Sequence, residues 1–451
     1  MKFQRSTISA LAACAVGSLL ALPASAADLG GDCCADLEER IAELEATTVR
    51  KGNRKVSLTV YGQVNQAVMF WDDGTERNTY VVNNKTATTY FGFEGSATIS
   101  PDWRAGYLIE IETGSANSDF VDQGVIPGAI GVGDDFQRII VRHSNWWLES
   151  KRVGRITVGQ QSSATDNIAE MDLSRTSAVS LSSVETWNEG FFLRDANTGN
   201  AVVFPGVLAL SGLGVSIVGD LWRGNFDGGR GNFVRYDSPV VGGFILSASW
   251  GEDDDWGVGL RYGGSFNGIS IKAGVGYSSG NVLDTDNLVL LIGGENNLPT
   301  HDDLTGSLSV LHEPTGLFAT VAAGSRNWTE SQFPGLIELN DEKYFYAKAG
   351  VLRKWSALGQ TAIYGEYYKV WDVGFHFVIP GFDVLNAAFN EQAETFGVGI
   401  VQHIDAAAME VYLAYRHYKA DDVSDFGLGL FAPVDHDIRY DMIMTGARIK
   451  F

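Results

Sequence analysis

The stretch from Tyr440 to Phe451 reads YDMIMTGARIKF, and its residues alternate between two faces. The mostly apolar face consists of Asp441, Ile443, Thr445, Ala447, Ile449 and Phe451. The other face carries Tyr440, Met442, Met444, Gly446, Arg448 and Lys450. A period of two residues is the spacing of a β-strand. The pattern therefore predicts a strand that runs to the aromatic Phe451.

The same alternation begins after residue 55. An apolar face is formed by Val56, Leu58, Val60, Val64, Val68 and Phe70, and a polar face by Ser57, Thr59, Tyr61, Gln63 and Asn65. A run of this length exceeds the usual strand of a globular protein. It fits a tilted strand that crosses a bilayer with apolar side chains outward and polar side chains inward. Similar alternation recurs at 90–99, 104–112 and 409–416.

The connections between the predicted strands alternate between short and long. Short turns such as 100–102 and 150–152 alternate with long loops at 114–135, 162–198, 279–303, 372–393 and 420–437. Short turns on one side and long loops on the other are typical of outer-membrane barrels. Eighteen segments are candidate strands, and sixteen remain without the pair at 201–204 and 213–222. We therefore predict an all-β, antiparallel transmembrane barrel of 16–18 strands that encloses water.

The first 54 residues are organised differently. Residues 1–26 have the pattern of a secretory signal, with Lys2 and Arg5 before an apolar run and an A-x-A site at 24–26. Residues 36–49 predict an amphipathic helix with the apolar spacing of a short coiled coil. The predicted domains are thus a signal peptide at 1–26, a periplasmic helix and linker at 27–54, and the barrel at 55–451.

The loop at 162–198 is the strongest candidate for a functional element. It is too long for an ordinary connection, and folding it inward would narrow a wide barrel. Its acidic candidates are Asp166, Glu170, Asp172 and Glu185, and the basic candidates on lumen-facing strand positions are Arg104, Arg138, Arg142 and Arg155. Opposed rows of fixed charge at a constriction determine which ions pass. The alternative for each carboxylate is a solvated position in an external loop.

Motifs of catalysis and metal binding are missing from the sequence. We find no zinc-protease motif, phosphate loop or nucleophile elbow, and Cys33 and Cys34 are adjacent without metal-site spacing. The formal net charge of -22 argues against a nucleic-acid partner. We therefore expect no enzyme activity, cofactor or metal. The alternatives are a substrate-specific channel, a barrel hydrolase using the cluster Asp435-His436-Asp437, and a soluble exported β-protein.

Several separated stretches resemble the general porins of alphaproteobacteria. They are DLEERIAELEAT at 36–47, KVSLTVYGQVN at 55–65, YFGFEGSA at 90–97, RITVGQQSSATDNIAE at 155–170 and the last strand. In this family Gly446, Ile449 and Phe451 match the terminal assembly signal, although Met444 departs from its usual polar residue. The resemblance implies a Gram-negative outer-membrane homotrimer, in contact with lipid and lipopolysaccharide, that passes small hydrophilic solutes passively. It also implies that the last strand pairs with the first, and that the third external loop folds inward.

Overall fold

The computed structural model describes residues 56–114, 116–124, 138–202, 217–281, 300–329, 337–377, 387–388, 391–425 and 434–451. The predicted signal peptide at 1–26 and the predicted helix at 36–49 lie outside these residues, as does the side chain of Arg138. None of the helices in the described ranges is long and apolar enough to cross a bilayer.

The described part of the chain is built almost entirely of antiparallel strands. They are β1 (Thr59–Asp72), β2 (Arg77–Asn83), β3 (Tyr90–Thr98), β4 (Trp103–Gly114), β5 (Arg138–Ser150), β6 (Gly154–Ser162), β7 (Arg230–Asp237), β8 (Phe244–Gly251), β9 (Trp256–Phe266), β10 (Ile269–Asn281), β11 (Thr300–His312), β12 (Leu317–Trp328), β13 (Ile337–Leu339), β14 (Glu342–Ser356), β15 (Gly359–Val373), β16 (Phe375–Phe377), β17 (Ala387–Ala388), β18 (Glu391–Ile404), β19 (Met409–Asp425) and β20 (Val434–Lys450). Short 3-10 turns lie at Lys85–Ala87, Val184–Trp187, Glu252–Asp254 and Asp405–Ala407, and one α-helical turn at Val218–Leu221.

The first and last strands pair and close the sheet, as expected. The β1–β20 register runs from Gln63 opposite Lys450 to Asp72 opposite Asp441. Gly62 and Phe451 continue it with two backbone hydrogen bonds of 3.0 Å each. Closure satisfies the backbone groups that an open edge would leave unpaired in lipid.

The barrel has sixteen strands, and the higher count of eighteen was wrong. Strand β3 pairs with residues 59–63 of β1, and strand β2 pairs with residues 66–72 of β1. The two strands together form one interrupted strand of the barrel. Strands β13, β16 and β17 form a separate three-stranded sheet. The segment 213–222 was a candidate strand, but its described part contains the helical turn Val218–Leu221 inside a loop.

The two faces of the strands are used as the alternation predicts. Leu58, Val60, Val64 and Phe70 of the first strand region are exposed on the outside, whereas Gln63 and Asn65 are buried inside. The outward tryptophans Trp103, Trp146, Trp250, Trp256 and Trp355 are exposed, as in an interfacial girdle. Trp71 of β1 and Trp222 of the inward loop after β6 are instead buried within the lumen.

The inward loop also contacts the residue that follows β1. Asp73 stands there and is fully buried. Its carboxylate lies 3.1 Å from Nη1 of Arg194, which belongs to the loop after β6. The inward loop therefore reaches the outer end of β1 as well as the middle of the barrel.

Candidate functional site

The loop between β6 and β7 lies inside the barrel and follows its wall. It spans 163–229, longer than the predicted 162–198, and 163–202 and 217–229 of it are described. Near its start, the Ala164 N–H donates to Oγ of Ser249 on β8 at 2.8 Å. Further along, the Leu173 N–H donates to Oγ of Ser309 on β11 at 3.0 Å. The loop then continues past β14–β20 to β1.

Lumen-facing glycines allow the loop to lie directly on the wall. A Cβ at Gly259 of β9 would stand 2.6 Å from the carbonyl oxygen of Ala164. A Cβ at Gly276 of β10 would stand 2.8 Å from Cγ2 of Thr165. Both distances are too short for a real side chain. The absence of a side chain at Gly259 and Gly276 therefore lets the loop approach the strands closely.

A buried ion pair attaches the middle of the loop to β14. Nζ of Lys348 lies 2.9 Å from Oδ2 of Asp172 and also donates to Oγ1 of Thr176 at 2.8 Å. The two side chains are 1% and 7% exposed. Burial would raise the pKa of Asp172, but Lys348 and Ser174 hold that pKa below its usual value. Asp172, predicted at the constriction, is therefore an anchor with its own cation.

A second buried ion pair holds the next part of the loop. Nε of Arg416 on β19 lies 2.8 Å from Oε1 of Glu366 on β15, and both side chains are at most 1% exposed. Nη1 of Arg416 donates to the carbonyl oxygen of Val184 in the loop at 2.9 Å. The Ser180 hydroxyl in the loop donates to Oε2 of Glu366 at 2.7 Å. The pair therefore links two wall strands to two points of the loop.

Apolar side chains fill the space between the loop and β15–β20. Trp187, Phe191 and Trp222 of the loop are fully buried. The Trp187 ring lies 4.5 Å from the guanidinium carbon of Arg416. The Trp222 indole N–H donates to Oγ1 of Thr395 on β18 at 3.0 Å. This side of the lumen is a packed core, so the open path lies elsewhere.

A second inward segment, 84–89, interrupts the wall between β2 and β3 and supports the loop. Nδ2 of Asn84 donates to the carbonyl oxygen of Ala178 at 3.0 Å. The hydroxyls of Thr86 and Thr186 are 3.0 Å apart. This segment was not predicted from the sequence, although the alternation breaks after residue 82.

The wall formed by β3–β6 faces the open lumen. Among the described residues, no hydrogen bond joins a β3–β6 side chain to the loop at 163–202 or 217–229. Arg142 binds Glu110 at 2.6 Å and Glu112 at 2.9 Å. Arg155 lies 3.1 Å from Glu149, and Arg104 donates to Oγ of Ser96 at 2.9 Å. Arg104, Arg142 and Arg155 thus lie on the free wall, but Arg142 and Arg155 have wall carboxylates as partners.

The other predicted loop carboxylates have different surroundings. Oδ2 of Asp166 lies 3.7 Å from Nη2 of Arg230, a cation that was not among the predicted residues. Glu170 accepts a 2.6 Å hydrogen bond from Ser183, and burial raises its pKa. Burial and neighbouring Glu189 raise the pKa of Glu185 well above its usual value. Asp166 is therefore the loop carboxylate best suited to act on passing ions.

The remaining polar cluster from the sequence, at 435–437, serves packing in the described structure. Nδ1 of His436 lies 3.4 Å from Oδ2 of Asp195 in the inward loop. The Asp437 N–H also donates to that carboxylate oxygen at 3.2 Å. These contacts join β20 to the loop.

Comparisons with known proteins agree with this architecture. The sequence profile described as Gram-negative porin matches residues 10–425. An anion-selective porin from Comamonas acidovorans superposes with a TM-score of 0.51 at 14% identity, covering 88% of this chain and 100% of that chain. A loop-deletion mutant of OmpT, an outer-membrane protein of Vibrio cholerae, gives 0.50 at 13% identity, with coverage of 88% and 100%. No curated protein sequence matches.

Proposed function

This chain belongs to the Gram-negative porin family and forms a passive channel of the outer membrane, and from this premise we propose where its constriction lies. The constriction lies between the inward loop at 163–229 and the wall formed by β3–β6, with Arg230 at the first residue of β7. The observation that carries the proposal is the one-sided filling of the lumen. Loop side chains pack against β15–β20, whereas Arg142 and Arg155 face the remaining space. Small hydrophilic solutes pass along that wall.

The charges that act at this constriction are Asp166 and Arg230, supported by the arginine wall. An Asp166→Asn variant removes loop charge, and Arg230→Gln removes wall charge. We expect the chloride-to-potassium permeability ratio to rise about twofold in the first variant and to fall about twofold in the second. Reversal potentials in planar bilayers under a KCl gradient measure the ratio.

A control for this test is Glu313→Gln, because Glu313 is exposed in the turn between β11 and β12. It should leave the reversal potential unchanged. Normal conductance with unchanged reversal potentials in both constriction variants would show that the narrowest point lies elsewhere. Absence of stepwise conductance from the folded wild-type protein would contradict the channel itself.

We also propose that the chain forms a homotrimer, and that a neighbouring copy covers the free edge of β2. The Asn83 N–H and carbonyl point away from β1, to Ala116 and Ser118. Because strand residues alternate, the N–H and carbonyl of Val81, two residues earlier, also point away from β1. No hydrogen-bond partner for these two groups is found among the described residues. Val81 pairs with Val68 of β1 at the level of the lipid-facing apolar residues, and its side chain is 70% exposed. Unpaired backbone groups at this depth favour cover by protein over lipid.

Substituting Val81 tests the trimer interface. Val81→Pro removes the outward N–H without removing a β1–β2 hydrogen bond, whereas Val81→Ala keeps it. We expect the proline variant to lose at least half of its trimer in native mass spectrometry of the detergent-solubilised protein. The alanine variant should remain trimeric. A proline variant that is equally trimeric would exclude this edge from the interface.

The last strand and the outer surface of the barrel have the remaining proposed roles. Gly446, Ile449 and Phe451 remain the predicted assembly signal, and Ile449 and Phe451 are exposed on the outside of the barrel. Outer-membrane lipid and lipopolysaccharide are the proposed surroundings of the apolar outer surface. We propose no catalytic activity for the chain.

A further inference from the structure

The lumen contains a second charged region on the side of the short turns. An open cavity of about 790 Å³ lies there, with loop residues 167–177 along one side. Its other lining residues come from β8–β10 on one wall and β18–β20 on the opposite wall. The cavity is lined by the ends of β9 and β18 that lead to short turns, and by the end of β20 that leads to Phe451. The cavity is thus the vestibule through which solutes leave the constriction toward the periplasm.

Three cations line this vestibule without a carboxylate partner among the described residues. Arg261 of β9 donates to Oγ of Ser247 at 3.1 Å and to the carbonyl oxygen of Asp166 at 2.8 Å, both uncharged groups. Arg175 of the loop donates to Oε1 of Gln360 at 2.7 Å. Lys272 of β10 is exposed. It forms no ion pair with any other residue that the structure describes. Arg261 is linked through Ser247 to Asp237, but that carboxylate is already paired with Arg235 at 2.8 Å.

The carboxylates of the same cavity are mostly neutralised. Asp172 is bound by Lys348 at 2.9 Å. Glu410 is shared by Arg448 at 2.5 Å and Lys450 at 3.4 Å. Glu170 is held by Ser183, and its pKa is raised by burial. The fourth carboxylate, Asp405, is exposed in the turn between β18 and β19, with Lys354 at 3.9 Å. The field of the vestibule is therefore positive.

We infer that this periplasmic vestibule selects for small anionic solutes through Arg175, Arg261 and Lys272. The inference rests on the proposed channel but concerns charges distinct from those at the constriction. Fixed charges that line a narrow aqueous path raise the local concentration of counter-ions and thereby bias conduction. Carboxylates and inorganic phosphate belong to the class of solute that this field favours. The net charge of the whole chain, -22, would by itself predict a preference for cations.

The test neutralises the unpaired cations and measures ion selectivity. Wild type is expected to prefer chloride over potassium in planar bilayers under a KCl gradient at neutral pH. Lys272→Gln/Arg261→Gln should lower the chloride-to-potassium permeability ratio about threefold, because two lumenal charges disappear in a screened aqueous path. Lys272→Glu alone should lower it further than Lys272→Gln. Lys151→Gln is the matched control, because Lys151 is exposed in the short turn between β5 and β6, and this variant should match wild type.

Inorganic phosphate provides the second measurement. Millimolar phosphate added on the side of the short turns should reduce the chloride current more than the same phosphate added on the opposite side. The Lys272→Gln/Arg261→Gln variant should lose this difference between the two sides. A cation-preferring wild type, or a double variant with unchanged ratio and unchanged phosphate effect, would overturn the inference while leaving the channel intact. Loss of all conductance in folded wild type would instead contradict the channel.

Discussion

Lys348→Met is expected to release the middle of the inward loop and to enlarge the pore. The variant leaves the Asp172 carboxylate in a buried site without its cation, since the wild-type pair is 1% and 7% exposed. Breaking a buried ion pair on one side costs about 3–5 kcal/mol. The segment around 171–180 should therefore leave the wall, and single-channel conductance should rise. Planar-bilayer recordings measure the conductance, and protease added from outside measures exposure of the loop.

The double variant Lys348→Met/Asp172→Asn separates the charge from the shape of the site. It removes both charges and should restore most of the wild-type conductance. Lys343→Met is the control, because Lys343 is 59% exposed and its pair with Asp372 lies at the outer end of β14. Exposed pairs contribute about 0–1 kcal/mol, so this variant should behave as wild type. A single variant with wild-type conductance and protease resistance would show that the ion pair does not hold the loop.

Arg416→Met is expected to have a comparable or larger effect, because this arginine binds both the wall and the loop. The change leaves the Glu366 carboxylate buried, removes the hydrogen bond to the carbonyl of Val184 and removes the cation beside Trp187. We expect the loss of about 3–5 kcal/mol in the local stability of the turn Val184–Trp187. Hydrogen exchange of residues 183–188 should accelerate by two or more orders of magnitude, since each factor of ten corresponds to about 1.4 kcal/mol.

Two further variants distinguish the loss of the buried ion pair from the loss of any lysine or arginine charge on the wall. Arg416→Met/Glu366→Gln removes the stranded charge and should recover part of the protection. Lys369→Met, which removes a partly exposed cation paired with Glu394 at 2.7 Å, should leave exchange at 183–188 unchanged. Unchanged exchange in Arg416→Met would mean that apolar packing alone fixes the turn.

Much of the barrel could be predicted from local pattern. Alternation in β1 and β20 indicated which side chains face outward, because a strand places successive residues on opposite faces. The strand count was overestimated at 213–222, where apolar residues belong to a loop packed inside the lumen. Such residues need an apolar environment, but the pattern does not say whether lipid or a protein core supplies it.

The candidate site was predicted less completely. Loop length predicted the inward loop, and alternation predicted lumen-facing arginines, but Lys348, Arg416 and Glu366 were not predicted as anchors. Each lies on a lumen-facing position that is ordinary for a water-filled barrel, and its burial depends on a loop more than a hundred residues away. Asp172 was treated as a pore charge because its partner Lys348 is distant in sequence. Partners of charged residues across a lumen are set by closure of the sheet, not by spacing.

The sequence by itself determined the closed antiparallel barrel, the orientation of its faces and the side of its long loops. The physical reason is that a bilayer requires every crossing strand to alternate and the sheet to close. Only the tertiary structure decided that the loop packs as a core against β15–β20, which carboxylates are neutralised and which cations remain unpaired. Those properties depend on contacts between distant residues, because the net effect of a charge is set by its nearest opposite charge and its burial.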